Sequence, residues 1–300
     1  MPPVDHLHVV LLRRDLRIDD QPALAQAAAA CASLGDESRL IVVYIYDPEL
    51  LRHPTSSTAH YLFIDDCLAE LEAELAKRGS ALFLRSGLLC GVLEMFTKMC
   101  VGMSLWSNRT CGVAAERARD EATRQWCAER GVKWNDLPSN GVLSREECCG
   151  HAWHTEEYQQ QWARKLEAHL EEQEAVLPAR LPPPPEGLRR GTRLGVDALA
   201  RLGANAGHGI TRAAAQRGGS RAGLSLLSSF LTQRSLGYRS RLSSPVTAPT
   251  SCSRLSPHLA WGALSLRQIH RRLRERCAVL AREVRCATAP VATWHGTSSS

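Results

Sequence analysis

Between residues 8 and 136, short apolar runs alternate with longer stretches whose apolar positions recur every three or four residues. His8–Leu12 and Leu40–Tyr46 read as buried strands, and Ala81–Leu84, Met103–Trp106 and Val132–Asn135 as shorter strands of the same kind. Between them the spacing predicts helices at Asp20–Leu34, Thr58–Arg78, Leu88–Cys100 and Val113–Arg130. In the second of these, Leu62, Ile64, Cys67, Leu68, Leu71 and Leu75 mark the core side, while Asp65, Glu70, Glu72 and Glu74 fall mostly on the wet side. Strand–helix alternation implies right-handed crossovers with helices on both faces of the sheet. The fold class is therefore α/β, a doubly wound five-stranded parallel sheet over residues 5–140.

The pattern then loosens. Residues 141–220 read as a connector, in which a segment from 151 to 177 carries Trp153, Tyr158 and Trp162 and is stopped by Pro178 and the run Pro182–Pro185. The aromatics either pack the connector onto the sheet domain, which their large burial area favours, or stack on nucleic acid. Residues 186–220 are rich in Gly, Ala and Arg and read as linker or disorder. Helical spacing returns at Ala222–Leu236. It returns again after Ser265, which caps a helix with Leu266, Ile269, Leu273, Cys277, Leu280 and Val284 on one stripe. That stripe expects a partner. The helical pattern stops near Arg285, so 221–285 reads as the first part of a helical domain and 286–300 as an unrelated tail.

Charge divides the chain. Residues 1–140 hold 15 Lys and Arg against 19 Asp and Glu, whereas residues 187–300 hold 18 arginines, no lysine and 3 acids, a net of +15. Such a balance attracts a polyanion such as DNA, although with only four lysines in the chain a bias in nucleotide composition accounts for the arginines equally well. Arg267, Arg271 and Arg274 form a face of their own, either solvated or in contact with a DNA backbone. The eleven cysteines show no zinc-finger spacing, and the adjacent pair Cys148–Cys149 reads as free thiols. No run approaches a membrane span, and the opening residues look like neither a secretory leader nor a transit peptide, so cytoplasm or nucleus is expected.

Two stretches carry candidate chemistry. Ser256–Pro257 reads as an N-cap and a first-turn proline, and Ser251, Ser253 and Arg254 add donors around the helix start. The stretch is either an ordinary capped helix or an anion site for a phosphate or pyrophosphate. After the first strand, Arg13-Arg14-Asp15-Leu16-Arg17 either ties its own loop down or holds an anion, and no G-x-G-x-x-G follows.

The run Ser-Arg-Leu-Ser-Pro-His-Leu-Ala-Trp-Gly-Ala-Leu-Ser-Leu-Arg, from Ser253 to Arg267, resembles the FAD-binding signature of the photolyase/cryptochrome family, with Tyr238 upstream where that family has a tyrosine. Val9–Leu24 is similar to the opening strand and loop of the family's α/β domain. The resemblance implies a blue-light-absorbing flavin that passes an electron, either for DNA photorepair or for light signalling. On the matching positions Tyr238, Cys252, Ser253, Arg254, Leu255 and Ser256 would hold the FAD phosphates, with Cys252 standing where many members have threonine. DNA as partner and an antenna pigment such as a folate are implied in the same way. The residues that surround the isoalloxazine ring in the family would mostly follow Arg285. The alternative is therefore a truncated, photochemically inactive fragment that acts as a binding module or has no activity.

Overall fold

Two nine-residue strands build the centre of the sheet: β1 (Val4–Leu12) is buried from Leu7 onward and β2 (Ser38–Tyr46) along almost its whole length. The computed structural model describes residues 3–110, 112–138, 155–205, 211–213 and 215–288, with 283–288 described by backbone alone. β3 (Leu82–Ser86), β4 (Cys100–Asn108) and β5 (Lys133–Leu137) complete a parallel sheet of order β3-β2-β1-β4-β5. At its centre His8 of β1 stands opposite Leu40 of β2 and Ser104 of β4. This is the doubly wound five-stranded sheet that the alternation predicts.

Helices α1 (Pro22–Leu34) and α3 (Thr58–Lys77) cover one face, and α4 (Leu89–Thr97) and α5 (Ala114–Arg130) the other, with the single turn α2 (Pro48–Leu51) between β2 and α3. Alternate strand residues go to opposite layers. Val10, Leu12 and Val42 meet Leu24, Ile64 and Leu68. Val9, Leu11 and Val43 meet Val92, Phe96 and Trp126. Helix α5 ends at Gly131, whose φ of 66° lets its amide reach the Cys127 and Ala128 carbonyls, a turn that side chains with a Cβ resist.

The connector is not a free linker. Leu181, Leu199 and Ala204 are buried within the α1/α3 core. The Leu40 amide donates to the Pro183 carbonyl at 3.2 Å where β2 projects past β3, and the Leu84 amide donates to Arg190 at 2.7 Å along the β3 edge. Single leucines spaced by prolines and glycines thus dock an extended chain onto sheet groups that need partners. A one-and-a-half-turn helix, α7 (Val196–Arg201), carries Leu199 inward.

Helix α6 (Glu156–Glu171) corrects a second expectation. It buries no side chain, leaves Trp162 38% exposed, and lies against the last helix rather than the sheet. Its surface is too polar to enter the core: one apolar residue per turn at most faces a neighbour. Trp153 and Cys148–Cys149 lie outside the described residues.

The helical part consists of α8 (Ser220–Thr232), the short turns α9 (Tyr238–Arg241), α10 (Ala248–Ser251) and α11 (Ser256–Ala260), and α12 (Leu266–Thr288), which runs past the expected stop at Arg285. Ser265 caps α12 as its sequence predicts. Its Oγ accepts from the Gln268 amide and its own amide donates to Gln268 Oε1, each at 3.0 Å. Leu224, Leu227 and Leu231 of α8 gather with Leu255, Leu264 and Ile269 in a small separate core. Beyond Ile269 the apolar stripe of α12 is open, with Leu273 45% exposed. Among the described residues no helix is long and apolar enough to cross a membrane.

Candidate functional site

The loop after β1 is a hub of internal pairing. Arg13, 5% exposed, reaches Asp120 at 2.6 Å, Asp136 at 2.8 Å, Ser107 at 2.9 Å and the Asn108 carbonyl at 2.6 Å. Asp15 accepts from Asn108 Nδ2 at 2.7 Å and Gln21 Nε2 at 3.1 Å, and Asn108 also meets the Gln21 side chain. Ligands in open α/β sheets favour the carboxyl ends of the strands where their order reverses, here between β1 and β4. The protein's own polar groups fill that crevice. Of the two readings of the arginine-rich loop, the geometry takes the structural one.

The same loop grips the C-terminal end of the Ser253–Arg267 motif. The Leu16 amide donates to the Trp261 carbonyl at 3.0 Å, Arg17 donates to the Gly262 carbonyl at 3.1 Å, and Arg14 stacks 4.6 Å from the Trp261 ring while pairing with Glu116 at 2.9 Å. Gly262, at φ 61°, allows this approach: a Cβ there would stand 2.1 Å from the Arg14 carbonyl oxygen. Asp20 then accepts from Arg267 at 2.7 and 3.0 Å. Burial alone would raise the Asp20 carboxyl, but hydrogen bonds from Arg267, Ser265 and the Ala175 amide outweigh it and hold the pKa below its usual value.

The phosphate-type donors stand at the other end of the motif. Arg254 adopts φ 58°, uncommon for a side-chain-bearing residue, and its carbonyl accepts from Gln216 Nε2 at 2.8 Å. Arg254 and Ser256 are exposed, Cys252 and Ser253 half-buried, and Leu255 is buried in the small core. Arg234 organises this turn. It donates to the Cys252 and Ser253 carbonyls and to Leu226 O, and its guanidinium lies 5.9 Å from the Phe230 ring, on which Tyr238 stacks edge-on at 5.5 Å. Tyr238 is thereby drawn to the same neighbourhood, 40% exposed.

The expected cap is absent: Ser256 is the first residue of α11, Leu255 precedes it without a side-chain cap, and the helix is five residues long. The left-handed turn at Gly262 and the docking of Trp261 end it early. A single turn has little macrodipole, so any anion here depends on side chains and loop geometry.

Near Trp261 a cavity of about 160 Å³ opens above β1 and β2, walled by Arg14, Tyr44, Asp47, His60, Glu116 and Trp261. Burial, then the charge of Arg14, lowers the His60 pKa, and burial raises that of Tyr44 well above the ordinary phenol value. Both are neutral at pH 7.

Much of the positive half is spoken for. Asp65 pairs with Arg193 at 3.3 Å, Asp66 with Arg212 and with Arg217 at 3.7 Å, and Glu74 with Arg221 at 2.8 Å. The amides of Gly218 and Arg221 at the start of α8 donate to Asp66 and Glu70. Glu171, Glu172 and Glu174 meet Arg274, Arg267 and Arg271. The uneven charge of the two halves is thus in large part an interface. The face of Arg267, Arg271 and Arg274 is neither simply solvated nor open to DNA, because Arg267 is buried and the other two carry glutamate partners.

Comparison with known proteins agrees with this architecture. A curated cryptochrome DASH from Natronomonas pharaonis is 25% identical over 271 residues, covering 88% of this chain and 55% of that protein. A deoxyribodipyrimidine photo-lyase from Halobacterium salinarum is 27% identical over 266 residues, covering 86% and 52%. The chain thus spans about half the length of these relatives. Among solved structures, a Synechocystis cryptochrome superposes with a TM-score of 0.71 at 20% identity over 92% of this chain and 56% of its own. An archaeal photolyase from Sulfolobus tokodaii, solved with two FAD molecules, gives 0.64 at 22% identity over 93% and 57%. Residues 8–185, more than half of the chain, match the family model described as DNA photolyase. With its sheet order and the β1 loop locked to the Trp261–Gly262 turn, the chain belongs to the DNA photolyase family.

Proposed function

We propose that the protein is a photolyase/cryptochrome-type flavoprotein in which the turn Cys252–Ser256 holds the pyrophosphate of FAD. The observation that carries this reading is Arg254. Its guanidinium is exposed and, among the described residues, has no acid partner, although Arg212, Arg217, Arg221, Arg267, Arg271 and Arg274 all have one. The hydroxyls of Ser253 and Ser256 flank it, and charge-assisted bonds from such a set suit a phosphate. A thiol at Cys252 is a weaker donor than a hydroxyl, so that position contributes little. The donor set suits the phosphate half of the cofactor.

When bound, the flavin supplies light absorption and electron transfer. The chain's own residues bind and orient. Arg234 fixes the carbonyls of Cys252 and Ser253 so that the Arg254 and Ser256 side chains face outward. Arg14, Arg17 and Leu16 anchor the far end of the motif and set its distance from the sheet. The 160 Å³ cavity beside Trp261 is smaller than the roughly 300 Å³ at which small-molecule pockets begin, so a folate antenna gains no support from its shape.

An absorption spectrum of protein dialysed against FAD tests the reading. A protein-associated flavin spectrum supports it, and its absence together with unchanged FAD fluorescence on titration refutes it. Light-dependent repair of an oligonucleotide carrying a pyrimidine dimer then distinguishes photorepair from signalling.

A further inference from the structure

The arginine row of α12 and the acidic run that precedes Ala175 form one device. Arg267, Arg271 and Arg274 are spaced by four and three residues and share one stripe of the helix. Each meets an acid from the same run: Arg267–Glu172 at 2.9 Å, Arg271–Glu174 at 3.1 Å and Arg274–Glu171 at 3.4 Å. Arg267 is fixed independently by Asp20 at 2.7 Å and stays in place without the acids. The outer two are different: the side chains of Arg271 and Arg274 are 53% and 65% exposed, the Arg274–Glu171 pair lies in water, and Arg271 is open to water on its own side although its partner Glu174 is only 18% exposed. Exposed pairs hold weakly and are screened by salt.

The apolar contribution to the attachment is small, with Leu166 and Leu170 of α6 only half-buried. Helix α6, which leads into the run, has no buried side chain. Beside the pairs lies an open cleft of about 520 Å³ lined by Leu170, Val176, His270 and Arg271. α12 also carries Arg272, Arg276, Arg282 and Arg285 against only Glu275 and Glu283, which leaves it strongly basic once the acids of the run are set aside.

We propose that α12 is a nucleic-acid backbone-binding face and that residues 156–174 form an acidic strap that occupies it in the free protein. A phosphodiester backbone offers the same acceptor chemistry as three spaced carboxylates and competes for Arg271 and Arg274 while Arg267 keeps the helix seated. Binding is noncovalent and sequence-independent, and it does not involve the flavin. The strap sets a threshold: nucleic acid binds only by displacing it.

The experiment is a fluorescence-anisotropy titration of a labelled 20-nucleotide single strand at low salt, with wild type and the Glu171→Gln, Glu172→Gln, Glu174→Gln triple variant. The triple variant binds about fivefold tighter, and the slope of log affinity against log salt steepens by about 1.4, two phosphate contacts at about 0.7 each. Adding Arg271→Gln and Arg274→Gln removes the gain. In wild type, amide hydrogen exchange of residues 156–171 speeds up when the oligonucleotide is added, a readout that needs no variant to fold. Unchanged affinity in the triple variant, a gain that survives loss of both arginines, exchange unaffected by the oligonucleotide, or binding to anionic phospholipid vesicles in place of the oligonucleotide would each overturn the proposal. No flavin is present in the assay, so its failure is separate from failure of the FAD reading.

Discussion

Gly262→Ala probes the joint between the β1 loop and the motif that begins at Ser253. At φ 61° an L side chain costs about 1–2 kcal/mol on its own. The new Cβ would lie 2.1 Å from the Arg14 carbonyl oxygen and 2.6 Å from the Asp15 Cα, and since both are backbone atoms the loop has to move. Movement breaks the Leu16–Trp261 and Arg17–Gly262 hydrogen bonds, each worth about 1 kcal/mol, and spoils the Arg14–Trp261 stack. The sum is a loss of about 3–5 kcal/mol. Urea unfolding followed by circular dichroism and tryptophan fluorescence measures it. Limited proteolysis shows cleavage in 215–282 at lower urea than in 4–137, because the sheet keeps both of its helical layers. A variant within about 0.5 kcal/mol of wild type would show that the joint is looser than its distances imply.

Three further outcomes follow from buried groups. Asp20→Asn keeps a side chain that tolerates φ 50° but leaves Arg267 without its buried countercharge, and thermal melts show a loss of about 3 kcal/mol. Leu199→Ala costs about 2–4 kcal/mol in urea unfolding, whereas a residue in a free linker would cost almost nothing. His8 is buried, accepts from Trp106 Nε1 at 3.1 Å, and has a pKa lowered to about 4 by burial and then by His6. The unfolded chain binds a proton near pH 6.5 that the folded chain refuses down to about 4, so stability is full above pH 6.5 and falls by roughly 2–3 kcal/mol as pH drops to 4. Comparing the wild-type and His8→Asn urea midpoints at pH 7 and 4.5 isolates this contribution, which vanishes in the variant.

The sheet was legible because β1 and β2 each contain an unbroken apolar run, Val9–Leu12 and Leu40–Tyr46, and because α3 keeps its leucines in register over five turns. Hydrophobic periodicity carries that information directly. The connector was not legible, since Leu181, Leu188, Leu194 and Leu199 follow no period, and an extended chain that docks single leucines resembles a linker in composition. Charge counting failed for a different reason: it records that Arg212, Arg221 and Arg267 are present but not that Asp66, Glu74 and Asp20 wait for them across the fold. In the motif from Ser253 to Arg267 the residue types were readable, yet the five-residue length of α11 depends on Gly262 meeting Arg17, 245 residues earlier. Arg234 and Gln216, which shape the phosphate turn, bond backbone carbonyls and leave no pattern to read.

The proposed role of the turn Cys252–Ser256, as the phosphate side of a flavin dinucleotide site, makes binding depend on the diphosphate and not on the ring. A fluorescence titration with FAD, repeated with ADP and riboflavin as competitors and with Arg254→Ala and Arg234→Ala, tests it most directly. FAD binds weakly, ADP competes it away and riboflavin does not, and loss of one charge-assisted contact weakens binding about tenfold in Arg254→Ala, with the fold unchanged, and further in Arg234→Ala. FAD binding that is indifferent to ADP and to Arg254, or displaced by riboflavin, would contradict it.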